Sequence, residues 1–418
     1  MVTIYRFAAV HPEPEKAGSV AAVPYDVLTM EEAGETIAHN PLSFLRISRS
    51  DAELPDIPAY DDRIYERAAE NLNRMRDEGV LIQDPAPSYY LYHVQDGRHS
   101  YTGLVCCVHT EDYRKGIIRR HELTRYDKEQ DRTRHIDRVN AHTGMVFLVY
   151  RDDTGIDGLI EGMLPAGAEL GQAVTSGGAL HTTYRVTNEA VLSRLEEIFT
   201  GIPHLYIADG HHRAASAVNV AEQRKKEGRS TPESERFMAV LFSHQKVKIF
   251  GYSRLVQDLH GYTPAAFLLK VSEMADVYPY GPIDAGSHTI PPRHADTGSH
   301  IFHMFLEGCW YEVSRKRDPR EDLTGALDVS VLQKGILEGI LGITDSRSDP
   351  RLSYMGGVKP LSVLEDLIRS GAYAVGFVMQ PLPVGTVLAV SDQGKVMPPK
   401  STWFEPKLLS GMLIHLLD

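Results

Sequence analysis

Asp209-Gly210-His211-His212-Arg213 gathers a carboxylate, two imidazoles and a guanidinium around one glycine. Such a set can hold an oxyanion, move a proton or ligate a cation. In front of it, Leu205 to Ala208 is a short apolar run of the kind that forms a buried strand. Behind it, an alanine-rich stretch ends in Arg224, Lys225 and Lys226, which predicts a helix with cations at its negative end. A strand that turns abruptly into a helix offers amide N–H groups and partial positive charge, so the expected ligand is an anion, phosphate first. On this basis Gly210, His212 and Arg213 bind phosphate and His211 is a catalytic candidate. Asp209 either orients a histidine or engages Mg2+. The plainer alternative is an Asp-Gly turn followed by histidines that backbone groups satisfy.

Other chemistry is scattered along the chain. Tyr113 to His142 is rich in both signs of charge. In it Arg132 and His135, three apart, share a helix face and could bind phosphates with Lys128, or trade salt bridges with Asp127, Glu129 and Asp131. His121-Glu122 lacks the second histidine of a metalloprotease helix, which excludes that zinc chemistry. Asp26 could orient a substrate amine or a metal, or cap its turn. Arg46, Arg49 and Arg254 are arginines that could meet an anion or solvent. Near the C-terminus Lys400, Ser401 and Thr402 supply a cation and two hydroxyls, suited to a phosphate or carboxylate; docking through Trp403 and Phe404 would also account for that stretch. His288, His294 and His300 match no metal-ligand spacing, and no P-loop or Rossmann glycine pattern occurs.

The Asp209–Arg213 box resembles the Asp-Gly-His-His-Arg signature of a large, mostly bacterial family known as a domain of unknown function. The resemblance runs nearly end to end, from PYDVLT at Pro24 to MPPKSTWFEPKL at Met397–Leu408. The box is also similar to the phosphate-binding box of the ParB/sulfiredoxin superfamily, one branch of which phosphorylates free serine. That resemblance implies a ParB/sulfiredoxin-like α/β core with mixed sheets and elaborated flanking layers. It implies Glu122, in a His-Glu-x-Thr element, as general base. It also implies a phosphotransferase that uses ATP or ADP with Mg2+ to turn L-serine into O-phosphoserine. On this scheme Asp209, His211 and Glu122 are catalytic and Gly210, His212, Arg213, Arg132 and His135 hold the nucleotide. Asp26, Lys400, Ser401 and Thr402 hold the acceptor. The alternative is a nucleotide-binding or hydrolysing regulatory protein, or a DNA-associated ParB-like one; a third possibility is transfer to water.

The elements that must position these groups follow from the apolar pattern. The 418 residues allow two or three domains, expected as a core over 1–260 and an accessory α/β region over 261–418 whose tail returns to the site. Lys and Arg number 44 against 56 Asp and Glu, a net charge of -12, which argues against nucleic acid as the main partner. No apolar run is long enough for a membrane span or signal peptide, so a cytoplasmic protein is expected; a homo-oligomer stays open. Cys106 and Cys107 lie in an apolar strand and are expected to be buried hydrophobes. Thr29 and Glu32 predict a capping box for a helix from Met30. Tyr60 to Gly79 is helical, and YYLYHV and YTGLVCCV form a hairpin about Asp96-Gly97. MVFLVY and FMAVLFS are buried strands, SFLRISRS at 43–50 reads as a strand, and HTTYRV at 181–186 as an edge strand. KVKIFGYSRLVQDL at 246–259 reads as a strand and then a short helix. RDDTGIDGLIEGML at 151–164, beginning in the stretch 151–155, should give a turn and a helix fragment, and a loop rich in Gly, Pro and His should occupy 278–298.

Overall fold

Aromatic and β-branched residues pair Tyr89–Asp96 antiparallel with His99–His109, in a register that sets Tyr90 opposite Val105 and Tyr92 opposite Gly103. The computed structural model describes residues 1–97, 99–152, 155–294 and 298–418. The expected turns at 151–155 and about Asp96-Gly97, and the loop at 278–298, therefore lie partly outside the described residues.

The chain is α/β with mixed sheets and divides into two compact units. The first comprises Met1–Arg120, Thr124–Val247 and Pro406–Asp418; the second comprises His121–Leu123 and Lys248–Glu405.

In the first unit the strands run Ile118–Arg119, Leu205–Asp209, Val146–Tyr150, Arg236–Ser243, His99–His109, Tyr89–Asp96, Leu180–Val186 and Ala168–Val174, with Ile4–Tyr5 added to His99–His109. Leu205–Asp209 is parallel to Ile118–Arg119 and antiparallel to Val146–Tyr150. The strand that carries the box thus lies inside the sheet, next to its rim. All five residues of Val146–Tyr150 are buried, as the unbroken apolar run requires of a strand covered on both faces. Cys106 and Cys107 are both fully buried, as expected, and burial pushes both thiols up. The last thirteen residues are stitched onto this unit. Ser410 exchanges backbone hydrogen bonds with Ala22, Ile414 does so with Val10, and His415–Leu416 pairs with Ala141–His142.

Two expectations in this unit need correction. SFLRISRS is a helical turn, Leu45–Ser48, followed by a 3-10 turn, Ser50–Glu53. Its apolar residues Phe44, Leu45 and Ile47 face the helix Asp62–Asp77, and Asn71 donates to the Arg46 carbonyl at 2.8 Å. Tertiary contacts here override strand propensity. HTTYRV is no edge: it pairs on its other side with Ala168–Val174. That strand is masked in sequence by small residues, one of which is needed there: a Cβ on Gly171 would lie 2.5 Å from that of Ala17.

In the second unit the sheet order is Asp276–Pro279, Cys309–Lys316, Ser299–Leu306, Val375–Met379, Ser253–Val256 and Leu352–Met355. The expected short helix after Tyr252 begins instead as the strand Ser253–Val256, buried at every position and flanked by partners on both sides. Arg254 breaks its apolar run and disguised it as amphipathic. Lys248–Phe250 pairs separately with Trp403–Glu405. Among the described residues no helix is long and apolar enough to cross a membrane.

Candidate functional site

The box is built as its residue types require. Leu205–Asp209 ends at Asp209, Gly210 takes φ 90°, and the helix His211–Lys226 begins without a side-chain cap. Only glycine adopts that backbone freely, and here it is also packed: a Cβ on Gly210 would lie 2.9 Å from Arg213 Nε. Gly210→Ala should therefore destabilise the fold by about 1–3 kcal/mol and loosen Arg213, measured as a lower urea midpoint together with weaker phosphate binding.

Around this turn one carboxylate holds two cations. Asp209 Oδ2 meets Lys407 Nζ at 2.9 Å, Oδ1 accepts the Gly210 amide at 2.8 Å, and Arg213 Nη2 stands 3.8 Å from Oδ1. Burial pushes the Asp209 carboxyl up, but Lys407 and Arg213 outweigh it and hold it well below the usual range. Both oxygens are thus committed to protein donors. That suits Asp209 as a clamp for Lys407 and leaves it a poor fit as an Mg2+ ligand. Lys407 escaped attention in the sequence because it lies 198 positions from its partner. Its signal was its place in the closing FEPKL segment.

Arg213 also anchors the turn, donating from Nη1 to the Met145 carbonyl at 2.5 Å. His212 Nε2 accepts the Arg125 amide at 3.0 Å, so this histidine ties the box to the start of the next helix instead of opening toward a ligand. His211 is buried at the first helical position.

The helix Tyr126–Val139 spends its charges on packing. Glu129 accepts from Asn219 at 2.7 Å and Thr124 at 2.6 Å, and Arg224 pairs with Asp137 at 2.7 Å. Arg132 bonds Asp131 at 2.9 Å and lies over the Tyr25 ring, 4.4 Å from its centroid. His135 Nε2 meets the Ile47 carbonyl at 2.9 Å; burial first, then Arg132, push its pKa down to about 4. Tyr25, Ser48, Arg132, His135, His142 and Arg213 line a small cavity of about 30 Å³, room for water but not for a nucleotide. Burial, and then the Asp26 charge, push the Tyr25 phenol up to about 12, against Arg132 and Arg213. Asp26 itself is exposed beside it. The turn is held from below by Arg49, which donates to the carbonyls of Tyr25 and Leu28 and pairs with Asp51. Arg46 pairs with Glu53. These two arginines, expected to meet an anion or solvent, are bound within the fold.

A further polar group, Cys107, Glu233 and His415, brings metal-ligand atoms within 4.8 Å of one another. Glu233 is already engaged by Arg236 at 3.0 Å and by His415 Nε2 at 2.7 Å, and His415 Nδ1 meets His142 Nδ1 at 3.1 Å. This is a satisfied network that docks the C-terminal strand.

The second unit holds the remaining candidates. Thr402 Oγ1 meets His121 Nε2 at 3.2 Å, and Ser401 Oγ donates to the Pro398 carbonyl at 2.5 Å. Both hydroxyls therefore help shape the loop. Lys400 is exposed, with φ 54° and its ammonium 5.2 Å from the Tyr252 ring centroid. Glu122 is half-buried and close enough to Tyr354 for its charge to add to the burial that raises that phenol.

A family model described as "Protein of unknown function (DUF1015)" matches residues 4–330. Among curated proteins none matches the sequence. Three solved structures share low identity with the chain. A conserved hypothetical protein from Pyrococcus furiosus is 13% identical, with 75% of this chain and 95% of that one covered and a TM-score of 0.37. A free serine kinase in complex with AMP is 12% identical over 75% and 91%, with a TM-score of 0.40. SbnI with C-terminal truncation from Staphylococcus aureus is 12% identical over 73% and 85%, with a TM-score of 0.38.

Proposed function

The chain belongs to the DUF1015 family of proteins of unknown function, and from its box we propose a phosphotransferase on a ParB/sulfiredoxin-like core: the first unit binds the phosphates of ATP or ADP, and the acceptor is the hydroxyl of a free amino acid, L-serine. One observation carries this. At the start of a 16-residue helix, two cations, Arg213 and Lys407, surround a single carboxylate, Asp209. The surplus positive charge and the helix dipole point the same way, toward a ligand with negative oxygens. Mg2+ would be carried by the nucleotide's own phosphates.

Glu122 takes the role of general base, and Lys400 with the Ser401–Thr402 backbone that of acceptor binding; the box resemblance and their chemistry support both assignments. A DNA-binding role is disfavoured by particular side chains as well as by net charge. Arg224, in the basic end of the box helix, is buried against Asp137 and Asn140, and Arg229 beyond it is engaged by Glu227 and Asp137. These two arginines are therefore committed within the fold and not free for a nucleic-acid backbone, although Lys225 and Lys226 are exposed.

The test is product analysis. Protein incubated with Mg2+, L-serine and either ATP or ADP should give O-phosphoserine by 31P NMR. Glu122→Gln should slow its formation about 100-fold or more while nucleotide affinity is kept. Free phosphate without phosphoserine would assign water as the acceptor. No product from either donor would end the kinase account.

A further inference from the structure

Arg254 is a buried cation that no carboxylate of the described residues meets. It sits in Ser253–Val256, inside the second unit's sheet, and is 2% exposed. A guanidinium has five N–H donors. Arg254 bonds neutral acceptors alone: Nη1 donates to the Tyr252 carbonyl at 2.7 Å and Nη2 to the Lys400 carbonyl at 3.2 Å. Among the described residues no carboxylate reaches it, and the charges that act on it belong to the Tyr354 and Tyr252 phenols; burial pushes its pKa down to about 10. Other buried arginines are treated differently. Arg224, 4% exposed, holds Asp137 at 2.7 Å, and the half-buried Arg132 holds Asp131. An unpaired buried charge is costly to fold, so one that is kept calls for a partner.

A second observation marks the same place. Lys400, whose carbonyl Arg254 grips, is one of the few residues other than glycine with a left-handed backbone. Strain of that kind persists where surrounding contacts enforce it. Its ammonium lies over Tyr252, and that ring stands edge-on to both Tyr354 and Trp403. Two cations and an aromatic wall thus converge, and among the described residues no carboxylate pairs with either cation.

We infer that Arg254 and Lys400 form an oxyanion-binding site in the second unit, occupied by the carboxylate of the acceptor amino acid. The identity of the occupant rests on the kinase proposal; the oxyanion site does not. Carboxylate and phosphate both match a guanidinium edge, so the test has an arm for each.

The full chain is melted while titrated with L-serine or with sodium phosphate, at constant ionic strength against chloride. Ligand that binds the folded state alone raises Tm in a saturable way. The wild type should respond, and Arg254→Met, which keeps the stem and removes the charge, should respond with at least tenfold lower apparent affinity. Without added anion its Tm should match or exceed that of the wild type, because an unpaired buried charge is gone. An Arg254→Met protein that melts lower yet responds like the wild type would make the guanidinium a structural tie and overturn the inference. If that variant does not fold, Lys400→Gln serves, its side chain being exposed: at least fivefold weaker response supports the site, and an unchanged response overturns it. A wild type indifferent to both probes also overturns it. Response to phosphate alone keeps the oxyanion site and removes the acceptor carboxylate from it. Response to L-serine in a protein that forms no phosphoserine keeps the site and ends the kinase proposal.

Discussion

Lowering the pH from 7.5 to 5 should unfold this chain before its carboxylates are protonated. Five buried histidines are held neutral by the fold. Burial pushes His135, His181 and His303 down to about 4, and it lowers His142 and His415 as well. A histidine whose folded pKa is depressed takes up its proton in the unfolded chain near pH 6.5 and in the folded chain only lower down. Its contribution is therefore complete above 6.5 and is lost as pH falls from there toward the folded pKa. Each such group costs about 1.4 kcal/mol per pH unit in that window. For the three at about 4 alone, that is on the order of 6 kcal/mol between pH 6.5 and 5, comparable with the whole stability of many domains. His300 runs the other way. Burial lowers its pKa, but Asp328 and Glu321 at 2.9 Å outweigh that and raise it, so its contribution is complete below 6.5 and is lost as pH rises through the folded value. Among the described histidines the depressed imidazoles outweigh this one opposing group. Urea unfolding at pH 7.5, 6.5 and 5.5 checks this, with His181→Gln as control. That side chain can still meet the Tyr92 hydroxyl, which lies 2.9 Å from His181 Nδ1, but cannot take a proton, so the pH slope should fall by about one proton. A stability flat between pH 7.5 and 5 would show that these imidazoles are not held neutral.

Arg213→Ala should weaken nucleotide binding about 10- to 100-fold, the range expected for removing one charged hydrogen bond to phosphate. Unlike a purely ligand-facing residue, it should also lower stability by about 1–3 kcal/mol, because its Nη1 holds the Met145 carbonyl and its guanidinium packs on Gly210. Lys407→Met separates these effects. Lys407 sits beyond the turn and bonds the Asp209 carboxylate, so its loss should reduce nucleotide affinity with a smaller effect on folding. It also leaves Asp209 partly buried beside Arg213 alone, so the carboxyl pKa should rise, visible by NMR titration of the side-chain carbon. Isothermal titration with ATP and ADP, paired with urea melts, reads both quantities. Wild-type nucleotide affinity in both variants would remove the box from phosphate binding.

Much of the architecture was legible because local chemistry and tertiary environment agree. Thr29 and Glu32 close the capping box that their spacing predicts. Val146 to Tyr150 and Phe237 to Phe242 are continuous apolar runs, and each lies in a strand and is buried throughout. Failures fell where a few residues depend on distant partners. Leu45–Ser48 coils against the helix Asp62–Asp77, and Ala168–Val174 has so few large side chains that only pairing with Leu180–Val186 defines it.

For the site, residue order by itself determined the turn. Asp209-Gly210 between an apolar run and an alanine-rich one marks a sharp strand-to-helix turn, and the helix that follows presents its positive end there; the left-handed backbone of Gly210 is supplied by the fold. Which charges remain available at that turn was a tertiary matter. His212 is consumed by the Arg125 amide, Arg132 by Asp131 and Tyr25, and His135 by the Ile47 carbonyl. Lys407 arrives at Asp209 from the far end of the chain. A charge in a sequence carries no record of its counter-ion, since ion pairs form across space at any separation along the chain. Only the fold reveals that Asp209 is answered by Lys407 and that Arg254 is answered by no carboxylate of the described residues.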